Sequence, residues 1–167
     1  RVSIENLSSD TFMNKTYKTV RLILGDQLNA SHSWYREKND SILYLIAELN
    51  QEARYVKHHV QKLAAFFVSM QQFATGLSAA GHHVLHLDLD ATSEFEDLGD
   101  LILALCNRYQ ASCFEYQRPD EYRLLAHLQD IEFSKHEIVV GHADTEHFLV
   151  DFEELDTFFT AGKATRL

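Results

Sequence analysis

The run Val20-Arg21-Leu22-Ile23-Leu24-Gly25-Asp26 decides the fold. A short apolar run without strict alternation, closed by Gly-Asp, is the signature of a strand covered on both faces, because a sheet with helices above and below has no side left for water. The signature returns at Ile42–Ala47, His83–Asp88 and Ser112–Tyr116, and in shorter form at Ile138–Val140. Between the second and third runs, Val56, Val60, Leu63, Phe67, Met70, Ala74 and Leu77 recur at steps of three and four. That spacing predicts a helix over Glu52–Ala80 that buries one stripe, with Gly81 as its C-cap. Leu98, Leu101, Ile102, Leu105 and Cys106 predict a second helix over Phe95–Tyr109. Pro119, the sole proline, suits the opening of a third over Asp120–Leu128, and a last helix is expected over Phe152–Phe159 before Gly162. Strands alternating with helices predict a doubly wound α/β domain, a mainly parallel five-stranded sheet with helices on both faces.

The size and charge of the chain narrow its functions. At 167 residues it can bury roughly 70% of its unfolded surface, so it needs neither disulfides nor a metal for stability. Its two cysteines, Cys106 and Cys113, cannot make a disulfide scaffold or a four-cysteine cluster, which points to a reducing, cytoplasmic setting. No apolar stretch approaches the about 20 residues of a membrane span, and no membrane partner is expected. A net charge of −10 opposes binding to phosphate backbones, so this chain alone is not expected to grip DNA. Residues 1–18 lack any periodicity and read as a flexible arm ahead of one domain over residues 19–167. Arg1 is no initiator, the N-terminus lacks the marks of a signal peptide, and the tail Lys163–Leu167 stops without a terminating signal. The chain is therefore expected to be cut from a longer protein.

In an open parallel sheet, ligands bind beyond the carboxyl ends of the strands, where the strand order reverses. That rule nominates Gly25-Asp26-Gln27 after the first strand, Glu48–Glu52 after the second, and Tyr116–Asp120 after the fourth. Asp26 and Glu52 would supply acceptors and Tyr55 and Tyr116 flat surfaces for a polar aromatic ligand. The two acids equally suit a plainer role as caps of helices or loops. A single glycine at Gly25, with no Gly-x-x-Gly or Gly-Lys-Ser/Thr behind it, gives neither a dinucleotide fingerprint nor a P-loop.

Other chemistry finds little purchase. His142, Asp144, Glu146 and His147 form the densest group of ligand-type side chains, but their spacing fits no metal geometry and reads as a solvated loop. No His-Glu-x-x-His occurs, and no metal site is expected. Ser31, Ser33 and Ser69 lie outside any Gly-x-Ser-x-Gly turn, while Cys106 falls on an apolar helix face and Cys113 within a strand, so no catalytic residue is nominated. Phe66, Phe67 and Phe73 read as packing. Trp34-Tyr35, in the loop after the first strand, must bury against something or meet a neighbour.

Three phrases then coincide in order: Leu22-Ile23-Leu24-Gly25-Asp26-Gln27-Leu28, Ala47-Glu48 through Glu52-Ala53-Arg54-Tyr55-Val56-Lys57-His58-His59, and Arg118-Pro119-Asp120-Glu121-Tyr122-Arg123. With them the chain resembles, from about Thr19 to its end, the Rossmann-like N-terminal domain of the bacterial iron-sulfur cryptochrome and (6-4) photolyase group, the deoxyribodipyrimidine photolyase-related proteins. The resemblance implies a longer parent flavoprotein that repairs DNA photoproducts with blue light or senses light. Its FAD, iron-sulfur cluster and DNA-binding groove would lie in a C-terminal helical region that is not in this sequence. That region would be the partner of this domain, and DNA would be met only through it. For the present domain the resemblance implies an antenna role with 6,7-dimethyl-8-ribityllumazine as cofactor. The contacts it implies are Asp26, Glu52 and Tyr55, with Leu49 and Phe66 on the apolar side. Two other readings stay open: a nucleotide-binding or partner-binding α/β module without catalysis, and a structural domain whose acidic face docks on a basic partner.

Overall fold

The computed structural model describes residues 15–49, 60–148 and 154. Five strands form one sheet: β1 (Thr19–Ile23), β2 (Ile42–Ala47), β3 (His83–Leu87), β4 (Cys113–Gln117) and β5 (Val139–Ala143). All pair in parallel in the order β3-β2-β1-β4-β5, so the expected doubly wound arrangement is what the chain adopts. The strand order reverses between β1 and β4.

Alternation along the strands sorts the core into two layers. Val20, Leu22, Leu43, Leu45, Leu85, Leu87, Phe114 and Tyr116 point to one face, where α3 (Leu98–Tyr109) and α4 (Tyr122–Asp130) cover them. Ile23, Ile42, Tyr44 and Ile46 point to the other, against Met70, Ala74 and Leu77 of α1 (Val60–Ala79). From Phe67 onward, the stripe read from sequence is the face that α1 packs on the sheet. Gly81, at φ +94°, ends α1 as expected: its N–H donates to Ser78 O, and that of His82 to Leu77 O, a glycine-centred double closure. The helix expected to start at Glu52 is described only from Val60, and the one expected over Phe152–Phe159 lies outside the described residues.

Four details differ from the sequence reading. Tyr17, inside the segment 1–18 read as an arm, is buried, donates its N–H to Tyr109 O at 3.0 Å and packs its ring against those of His83 and Tyr109. Helix α4 opens at Tyr122 rather than Asp120, since Arg118 N–H donates to Ala143 O and keeps the chain on the sheet past the end of β4. Strand β5 runs on through Gly141-His142-Ala143, an edge strand whose polar residues hide it from an apolar search. A single turn, α2 (Leu89–Thr92), follows β3 because the Asp88 carboxylate caps Ala91 N–H at 2.9 Å.

Candidate functional site

Connections leaving β1 and β4 pass to opposite faces of the sheet, which makes their carboxyl ends the switch point where open parallel sheets take ligands. A buried amide joins the two ends. Gln27, 2% exposed, accepts Leu24 N–H on Oε1 at 3.1 Å and donates from Nε2 to Gln117 O at 3.1 Å and Arg118 O at 3.3 Å. One side chain therefore closes the turn after β1 and ties it to the end of β4.

That turn leaves Asp26 at the rim with its side chain exposed. Neighbouring protein still desolvates it enough to push its carboxyl above the ordinary carboxylate range. Asp120 adds to the rise, while the Asp26 N–H and His147 oppose it. Two carboxylates sharing one field at the switch point favour a ligand that brings N–H or O–H donors and disfavour one that brings phosphate.

Phe66 of α1 reaches the same turn. A Cβ built on Gly25 would stand 2.2 Å from Phe66 Cζ and 3.0 Å from Met70 Sδ, so the ring rests directly on the Gly25 backbone. Glycine is needed here for close approach, not for a special φ. Asp26 and Phe66 are thus brought together, an acceptor beside an apolar wall. Leu49, just past β2, packs instead with the layer under α3, on the opposite face of the sheet from Phe66. Glu52 and Tyr55 lie outside the described residues.

A strap over the α1 face stiffens the rim. His32, 1% exposed, has Nδ1 accepting Trp34 N–H at 3.0 Å and Nε2 lying 2.8 Å from Asp144 O. Nδ1 therefore carries no proton and Nε2 donates. Glu146 accepts Ser33 N–H at 3.0 Å, and the Ser33 bonds hold its carboxyl below the usual range. The segment after β1 is in this way anchored to the segment after β5, and the loop read from sequence as solvated takes part in that anchoring. Trp34 finds its neighbour in Arg21, whose guanidinium sits 4.8 Å above the indole. Arg21 also donates to Glu115 at 2.6 Å and to the Tyr44 hydroxyl at 3.2 Å.

Sequence reasoning named Gln27 and Glu146 without finding their partners, and missed His32 and the Arg21–Glu115 pair. Gln27 and Glu146 resemble any surface polar residue until folded. Arg21 and Glu115 carried a signal, each being the charged residue midway along an apolar strand, and the register sets them side by side.

Comparison with known proteins fits this frame. The sequence profile of the family described as deoxyribodipyrimidine photo-lyase-related protein matches residues 21–167, from β1 to the last residue. The chain belongs to that family. Over 72 residues it is 39% identical to a (6-4) photolyase of Agrobacterium fabrum (strain C58 / ATCC 33970), a stretch that makes up 41% of this chain and 14% of that protein. In this photolyase-related domain, the Gly25-Asp26-Gln27 and Arg118-Pro119-Asp120 segments flank the switch point, joined through the Gln27 amide. No helix among the described residues is long and apolar enough to cross a membrane.

Proposed function

We propose that the domain is the antenna module of a photolyase-related flavoprotein and binds 6,7-dimethyl-8-ribityllumazine at the carboxyl edge of β1 and β4. The observation that carries this reading is the convergence of Asp26 and the Phe66 ring on one glycine turn at the switch point. A lumazine offers a flat apolar body, an imide edge and a ribityl chain. Asp26 would accept from the ligand's N–H or hydroxyl groups, Phe66 would shield one side of the rings, and Glu52 and Tyr55 would complete the rim from the segment after β2. When bound, the chromophore supplies absorbed light energy to the flavin of the parent protein. The chain's own task is to hold it still and dry, which asks for a stiff rim and not for a nucleophile. The Gln27 lock and the His32–Glu146 strap provide that stiffness.

The parent is proposed to be a light-driven DNA-repair enzyme or photoreceptor, with FAD, iron-sulfur cluster and DNA contacts in a C-terminal helical region that packs on this domain. A nucleotide at the same site is disfavoured by the paired carboxylates and by the missing glycine-rich cradle. Fluorescence titration with the lumazine tests the assignment. Saturable binding, weakened by Asp26→Ala and by Glu52→Ala with Tyr55→Ala, is expected. Calorimetry with ATP, AMP and FAD should show no comparable binding; tighter binding of ATP or AMP than of the lumazine would refute the assignment.

A further inference from the structure

Gln117 is the last residue of β4, so it stands at the carboxyl edge of the sheet, at the switch point. Phe114 and Tyr116 point into the layer under α3, and the pleat turns Gln117 to the other face, the one that carries Ile23, Tyr35 and Phe66. The register runs on past the Leu22–Tyr116 pair and sets Gln117 beside Ile23, two residues before the glycine on which the Phe66 ring rests. Its backbone is fixed independently of its side chain, because its carbonyl accepts the Gln27 bond that locks the turn after β1.

The side chain is less well served. It is 0% exposed, and its Nε2 donates to the Tyr35 hydroxyl at 3.5 Å, the outer limit of a hydrogen bond. Its Oε1 is buried and meets no donor among the described residues. Buried amides are nearly always paired, and one left over at the ligand edge of an open parallel sheet asks for a partner from outside the fold. Interchanging the amide nitrogen and oxygen does not remedy this: Tyr35 would then donate to Oε1, and the Nε2 hydrogens would go unused.

A primary amide sets a donor beside an acceptor, and the imide edge of a lumazine, an N–H between two carbonyls, answers it in either orientation. We propose that Gln117 reads the ring of the antenna ligand, its amide pairing with the imide edge while Asp26 takes the ribityl hydroxyls. The proposal rests on the reading of the switch point as the lumazine site. Burial sets the direction of the ligand: the amide lies inside and Asp26 at the exposed rim, so the imide edge enters first and the ribityl chain trails toward solvent. Entry exchanges the long Tyr35 contact for shorter bonds, and Ile23 and Phe66, on the same face, give the ring apolar cover.

The test compares 6,7-dimethyl-8-ribityllumazine with its derivative methylated at the imide nitrogen, each titrated by fluorescence anisotropy into wild type and Gln117→Leu after both chains are shown to be folded by thermal unfolding. Methylation removes the N–H and blocks the approach of the amide in either orientation. Wild type should bind the methylated ligand roughly tenfold more weakly, since a buried amide built to pair with that edge is then left unpaired. Gln117→Leu should bind the lumazine roughly tenfold more weakly than wild type does and should treat the two ligands alike, a coupling that a merely structural glutamine would not produce. Equal binding of the two ligands by wild type would show that something other than the ligand completes the amide; it overturns the role of Gln117 without recourse to any variant, and the antenna reading stands. Undiminished discrimination in Gln117→Leu would assign the imide edge to another residue and overturn the role equally. If wild type binds no lumazine, the antenna reading fails and takes this inference with it.

Discussion

Replacing Gly25 by alanine probes the contact on which the rim is built. The new Cβ would lie 2.2 Å from Phe66 Cζ, 2.7 Å from Cε1 and 3.0 Å from Met70 Sδ. Comfortable carbon–carbon contact begins near 3.5 Å, so the Phe66 ring must retreat by about 1.3 Å or swing out. Neither move is free, because α1 is held on the sheet by Met70, Ala74 and Leu77. Overpacking of this kind costs about 1–3 kcal/mol. For a domain of this size that lowers Tm by roughly 2–4 °C per kcal/mol, readable by urea or thermal unfolding. Lumazine affinity should fall with it, since the shielding wall has moved. The closest clashes are with one ring, so a double-mutant cycle isolates them: in a Phe66→Ala background Gly25→Ala should cost distinctly less, with only the 3.0 Å approach to Met70 Sδ left to accommodate. Equal costs of Gly25→Ala in the two backgrounds would show that Phe66 does not rest on this glycine and would refute the reasoning.

Four further outcomes follow from the geometry. Gln27→Ala strands Leu24 N–H and the carbonyls of Gln117 and Arg118, and should cost about 2–3 kcal/mol in urea unfolding. His82, buried between the Tyr35 and Tyr44 rings, is held below its ordinary value of 6.5 by burial, with Lys38 and His83 acting the same way against the Tyr35 carbonyl. The unfolded chain therefore takes up this proton first as pH falls; stability should be full above 6.5 and decline below it, and His82→Phe should flatten that slope in pH-dependent unfolding. Glu115→Ala leaves the Arg21 guanidinium, whose side chain is 18% exposed, without its carboxylate, and should cost about 1 kcal/mol given partial solvent screening. Arg21→Met should shift the emission of the sole tryptophan, Trp34, by removing the cation from its face.

The layered fold was legible because burial on both faces writes itself into the strands: Val20–Leu24 and Ile42–Ala47 carry almost nothing else, and Met70, Ala74 and Leu77 repeat the helical step. Strand β5 was read short because an edge strand needs few apolar residues, and Val139 and Val140 are indeed 66% and 40% exposed. At the site, the position of Asp26 followed from the topology of an open parallel sheet, and the structure sets Phe66 beside it. What one-dimensional reading could not supply is the partner of each buried polar group. Gln27 bonds across about ninety residues to Gln117, and His32 across more than a hundred to Asp144. Such pairings are fixed by register and crossover, which no local pattern encodes. Glu48 looked like one more acidic residue because its burial depends on β3 and α2 closing over it.

The most direct test of the central claim is a map of where the dye binds. The isotope-labelled chain, titrated with 6,7-dimethyl-8-ribityllumazine, should show its largest amide shifts at Leu24–Gln27 and Gln117–Asp120, the two segments at the switch point. The groove between α1 and β3 around Thr75 and Ser78 should stay unperturbed. Saturating shifts in that groove with the switch point silent, or no saturable shifts anywhere, would contradict the account.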